Sequence, residues 1–184
     1  INQAQVDQRK ALALEGGSVT NGLVGVWKLG GNITNKRLVN RFTNKGDVLV
    51  THDVRIDSQY VSDTGSVEIS KDKTLTLTGG GEWKGHTLFD LKDSATLNLT
   101  GINLITSGVT NFVGDTLFVD GHSIDASATV NLTGSLAIGQ GGVARNQLSF
   151  PGFIMDGGTI SGVLDIANTQ HGVFQNRGIF RWKS

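Results

Sequence analysis

The sequence predicts an all-β chain wound into a β-solenoid, and three observations predict it. Short runs of alternating apolar residues close on the same Thr-Gly step: Leu75-Thr76-Leu77-Thr78-Gly79, Leu97-Asn98-Leu99-Thr100-Gly101 and Val130-Asn131-Leu132-Thr133-Gly134. Their first residues are offset by 22 (75 to 97) and 33 (97 to 130), which fits a coil of about twenty-two residues with some irregularity in length. Between the copies lie further alternating runs, Leu88-Phe89-Asp90-Leu91 and Leu117-Phe118-Val119-Asp120, closed by polar residues or glycine. Strands this short, separated by Gly, Asp, Ser and Asn, leave no room for crossover helices.

Alternation fixes which side chains face inward. Stacked coils would line up Leu75, Leu77, Leu97, Leu99, Leu117, Val119, Val130 and Leu132 inside, with Thr76, Asn98 and Asn131 on the opposite face. One coil has no core of its own. A stack of at least about three buries a continuous apolar column, with successive strands roughly 4.8 Å apart.

Taken in order, residues 1–17 predict a short N-terminal helix. Gln, Ala, Arg, Lys and Leu favour that state between Asn2 and Glu15, and Gly16-Gly17 ends it. Its apolar face of Val6, Ala13 and Leu14 is thin, so the helix would need a partner chain and would serve as a trimer stalk. Residues 18–45 change to small, glycine-interrupted apolar pieces and predict a linker with the first strands. Residues 46–168 carry the short-strand rhythm of the solenoid itself, bent once near Pro151. Residues 169–184 place Phe174, Phe180 and Trp182 among Arg177, Arg181 and Lys183, as a terminal cap or contact segment.

Composition narrows the partners. Sixteen basic and sixteen acidic residues cancel with no long run of either sign, which argues against a nucleic-acid surface or an anionic membrane surface. No apolar run approaches the roughly twenty residues of a membrane helix. There is no cysteine and one proline, so turns fall to the 26 glycines together with Asn and Asp, and no disulfide framework is available.

The stretch from Val67 to Gly101, with Val67-Glu68-Ile69, Thr74-Leu75-Thr76-Leu77-Thr78-Gly79 and Leu97-Asn98-Leu99-Thr100-Gly101, resembles the coils of pectate-lyase-like right-handed β-helices. It is most similar to those of bacteriophage tailspikes and tail fibres. Val26-Trp27-Lys28-Leu29-Gly30-Gly31-Asn32-Ile33 resembles the tryptophan-leucine-glycine-glycine segment that precedes repeats in phage tail-fibre chains. The resemblance implies a right-handed parallel β-helix, a homotrimer along a fibre axis, and a place in the virion tail beside other tail proteins. Enzymatic members of the family carry acidic pairs on longer β-helices.

For binding chemistry the sequence offers one polar-aromatic loop, Glu82-Trp83-Lys84-Gly85-His86. An exposed Trp83 beside Glu82 and His86 would grip a sugar ring; a Trp83 that covers the edge of the stack would be structural. Most acids are aspartates in turn contexts, and Asp93 and Asp115, 22 apart, are a carboxylate pair that one coil's stacking could bring together. No catalytic residue is assigned to them. His52, His86, His122 and His171 lie too far apart in sequence for a metal set, and the glycine runs lack the lysine and helix of a phosphate loop, so no metal or cofactor is expected. The function these readings lead to is a phage tail-fibre or tailspike segment that gives the virion a rigid rod and binds a host cell-surface glycan. A polysaccharide-degrading β-helix enzyme and a bacterial surface adhesin share the same sequence features.

Overall fold

The computed structural model describes residues 1–14, 17–35 and 41–114, and beyond them ten strands between residues 117 and 183. Three parallel sheets, each of eight strands, run the length of the molecule. Sheet I starts with Gln5–Gln8 and ends with Leu164–Ile166, sheet II starts with Leu12–Leu14 and ends with Phe174–Asn176, and sheet III starts with Ser18–Asn21 and ends with Arg181–Lys183. Successive strands of the chain visit sheets I, II and III in turn, so each circuit is one coil of a parallel β-solenoid. About five turns lie within residues 1–114.

The alternating runs form strands because each gives the interior one apolar row and the exterior one polar row. In sheet II, Leu75 pairs with Leu97 and Leu97 with Val130, while Leu77 pairs with Leu99 and Leu99 with Leu132. All six are fully buried, and Thr76 and Asn98 are half-exposed on the other face. Burying one such leucine contributes roughly 1.5–3 kcal/mol, and the column repeats it at every coil.

The irregular offset has a local cause. Leu91 pairs with Gly114, 23 residues on, whereas Thr96 pairs with Thr129, 33 on, so ten extra residues lie between these two strands. They hold an antiparallel hairpin, Leu117–Val119 with His122–Ile124, that belongs to none of the three sheets. Leu117 and Val119, expected in the column, lie on this hairpin; their side chains and that of Asn131 lie outside the described residues.

The N-terminal segment corrects one expectation. Where composition predicts a helix, Gln5–Gln8 and Leu12–Leu14 are strands, and there is no helix among the described residues. Gln5–Gln8 pairs with Val26–Leu29, and Leu12–Leu14 pairs with Ile33–Asn35. The free edges of those two strands offer a ladder of backbone hydrogen bonds, and a helix of about four turns is too marginal in water to compete with it. Strands of sheet III occupy 18–21 and 41–44, within the segment read as a linker with the first strands.

The interior is filled rather than hollow. Between sheets I and III, Trp27 meets Phe42 edge-on at 5.3 Å, Phe42 stacks on Tyr60 at 6.0 Å, and Phe89 stacks on Phe112 at 5.5 Å with Trp83 5.1 Å from Phe89. At the corner where sheet III turns toward sheet I, buried Asn21 and Asn44 form a ladder: Asn2 Nδ2 donates to Asn21 Oδ1 and Asn21 Nδ2 to Asn44 Oδ1, each at 2.9 Å. Asn21 also donates to the Asp47 carbonyl, and Asn44 to the Ser66 carbonyl, so the buried amides satisfy backbone groups the bend leaves over.

The Thr-Gly step closes sheet II. Thr78 and Thr100 each donate the backbone N–H to a carbonyl of the preceding coil, that of Ile56 and of Leu77, and the Thr100 hydroxyl donates to the same Leu77 oxygen. At the next residue the coils nearly touch: a Cβ on Gly79 would lie 2.4 Å from the carbonyl oxygens of Asp57 and Ser58, and one on Gly101 would lie 2.3 Å from the Gly80 nitrogen. Threonine holds the turn to the coil before it, and glycine leaves room for the contact.

Candidate functional site

The outer face of sheet II is built by the same leucine-bearing strands, since each inward leucine fixes an outward neighbour. Pairing sets Arg55 beside Thr76 and Thr76 beside Asn98, and Asn98 Nδ2 donates to Thr76 Oγ1 at 3.2 Å. The edge of this row is held by turn side chains that bond to the next coil: Asn32 Oδ1 accepts from the Arg55 N–H and Asp53 Oδ1 from the Thr74 N–H, both at 2.9 Å. Asn32, Asp53, Val54, Arg55, Thr74 and Thr76 line a shallow depression of about 220 Å³.

Its electrostatics centre on Arg55. The guanidinium Nε is 2.5 Å from Asp57 Oδ1, and the Thr78 hydroxyl donates to the same oxygen at 2.6 Å. Partial burial alone would raise the Asp57 pKa, but the Thr78 hydrogen bond and Arg55 outweigh it and hold the carboxyl below its ordinary value. Asp57 therefore stays a carboxylate acceptor at neutral pH. The depression offers an exposed guanidinium, the Asp53 carboxylate and the Thr74 and Thr76 hydroxyls, with the Asp57 carboxylate beside Arg55, a set that matches the donors and acceptors of a polyhydroxylated ligand.

The loop expected to bind a sugar is divided by the strand it forms. Gly81–Lys84 is a strand of sheet III, so Glu82 points out and is exposed while Trp83 points in and is fully buried. An indole packed on Phe89 and 6.3 Å from Phe112 has no face to present to a sugar ring. His86, exposed, opens the next strand, in sheet I. Glu82, Trp83 and His86 thus form no common site. Period-two alternation through Glu82-Trp83-Lys84 carried this information, because it sets Trp83 opposite in phase to its charged neighbours.

Asp93 is held by Lys71 at 2.8 Å, and Asp115 lies outside the described residues. Among the described residues, no three His, Asp or Glu side chains are grouped to hold a metal ion. Arg55 and the Thr74-Thr76-Thr78 row did not stand out in the sequence as a site, although Val54-Arg55-Ile56 already shows the alternation that turns Arg55 outward. Compared with protein families, with curated proteins and with solved structures, the chain has no match.

Proposed function

We propose that the chain is a structural and receptor-binding segment of a phage tail fibre or tailspike: a right-handed rod, homotrimeric, that lays a host cell-surface glycan along the outer face of sheet II. In this reading it acts outside the cell as part of the virion, joined to other tail proteins. The right hand is the one that strand twist favours for parallel strands joined across a circuit. A filled interior with backbone pairing at every coil supports the rod.

The observation that carries the binding role is the Arg55, Thr74 and Thr76 depression, whose hydrogen-bonding groups come from neighbouring coils on a rigid base. Preformed polar groups lose little conformational entropy when a ligand arrives. The test is incubation of the purified protein with bacterial surface polysaccharide, measuring both retention on the polymer and release of new reducing ends or unsaturated sugars. The reading expects retention without release, weakened about tenfold or more by Arg55→Ala. Turnover that disappears on replacing one Asp or Glu would establish the enzyme instead, and absence of retention on any surface polysaccharide would remove the glycan.

A further inference from the structure

The exposed large apolar side chains among the described residues are Ile1, Leu23, Val24, Ile102 and Leu104, two on the outer face of sheet III and three at its corner with sheet I. Ile102 (75 % exposed) and Leu104 (40 %) are the outward residues of the sheet III strand Ile102–Ile105. Leu23 and Val24 (74 % each) are the central residues of the turn that leaves sheet III after Asn21, closed by a Gly25 N–H to Gly22 carbonyl bond of 2.8 Å. Ile1 joins them, because Asn2 bridges to Asn21, and Ile1, Leu23 and Val24 line one depression of about 410 Å³. Leu-Val is an unusual centre for a turn, where Gly, Asn, Asp or Pro is the rule. The turn of the following coil, Asn44-Lys45-Gly46-Asp47, is two residues shorter between the paired positions and has Lys45 there instead.

We infer that the sheet III side is the surface through which copies of this chain associate, parallel and level with one another. The inference rests on the homotrimer proposed above and names its interface. Two features select a second copy as the occupant. The first is charge: between the apolar groups of the first and fifth turns the same side carries Arg41, Lys45 and Lys84 with Asp63 and Glu82, both signs on neighbouring coils, and Lys45 and Lys84 already flank Asp63 at 3.0 and 3.7 Å. A mixed surface of this kind complements itself at equal height, where Glu82 of one copy meets Lys84 of the next. It suits neither a nucleic acid nor an anionic lipid surface. The second is size. Eight strands at about 4.8 Å and four residues at about 3.3 Å give a face of about 500 Å² on each copy, hence about 1,000 Å² across a pair, the lower bound for a specific interface.

The absence of cysteine allows a clean test. Sedimentation of the whole chain at micromolar concentration should give about three times 19.5 kDa, and Ile102→Glu should bring it to a single chain mass with the thermal melt still cooperative. Glu68→Lys, on the outer face of sheet I, should leave the mass unchanged. Ile102→Cys, the chain's single thiol, should be shielded from a thiol reagent in the assembled protein. A trimer that persists in Ile102→Glu, or an Ile102→Cys thiol that reacts in the trimer as fast as in the unfolded chain, would overturn this interface while leaving the trimer in place. A monomeric wild type would overturn both.

Discussion

Leu99 and Asn98 are adjacent in the chain and lie on opposite faces of sheet II, one in the core and one toward solvent, and that contrast carries the register. Leu99→Ala opens a cavity in a fully buried column and should cost roughly 2–5 kcal/mol, read as a shift in denaturation midpoint. Asn98→Ala removes a partly exposed bond to Thr76 and should cost about 1 kcal/mol or less. Equal costs would mean that the strand is set one residue out of phase. Tyr60, the single tyrosine, gives a second reading of the interior. Its ring is fully buried, and burial, offset only in part by the neighbouring Asn44 side chain, pushes the phenol pKa well above its ordinary value near 10. Because the folded pKa is raised, the neutral phenol's contribution is fully present below about pH 10 and is lost as pH climbs beyond it. Near-ultraviolet titration should therefore show no phenolate until the protein unfolds, and Tyr60→Phe should flatten the alkaline loss of stability. Phenolate appearing near pH 10 in the folded protein would contradict the buried position.

At the scale of elements, what was legible in the sequence was what a strand's own alternation dictates. Thr74-Leu75-Thr76-Leu77 and Thr96-Leu97-Asn98-Leu99 named their buried residues because sheet II packs one face inward and leaves the other to solvent. The N-terminal strands were not legible, since Gln5–Gln8 has good helix formers and becomes a strand only through a partner, Val26–Leu29, twenty-one residues away. Propensity is local and that pairing is not. For Trp83 the charged neighbours left two readings, a sugar-gripping and a structural one, and strand phase decides for the buried position. The 33-residue offset was visible as a length without a cause, and the cause is the hairpin outside the sheets. Removing the ten residues from Thr116 to Asp125 should restore an ordinary coil and change stability by no more than about 1 kcal/mol, because shortening a connection returns little closure entropy and the three sheets keep their pairs. Unfolding or aggregation of that deletion, seen by circular dichroism and sedimentation, would show the hairpin to be part of the core.

For the whole molecule, three sheets give three different exteriors. Sheet II carries the Arg55, Thr74 and Thr76 depression, sheet III and its corner carry the apolar groups, and among the described residues sheet I exposes no large apolar side chain. If sheet III turns toward neighbouring copies, sheet II is left facing outward along the rod, where a long polymer can lie across several coils at once. Neither assignment was legible in the sequence, because Asp53, Arg55 and Asp57 become one surface with Thr74, Thr76 and Thr78 only when coils some twenty residues apart are stacked. The measurement that bears most directly on this account is amide chemical-shift mapping of the isotopically labelled protein, titrated with oligosaccharides released from bacterial surface polysaccharide. The account predicts saturable shifts concentrated at Asp53, Arg55, Thr74, Thr76 and Asn98; shifts confined to sheet III, or to Glu82 and His86 with sheet II unmoved, would contradict it.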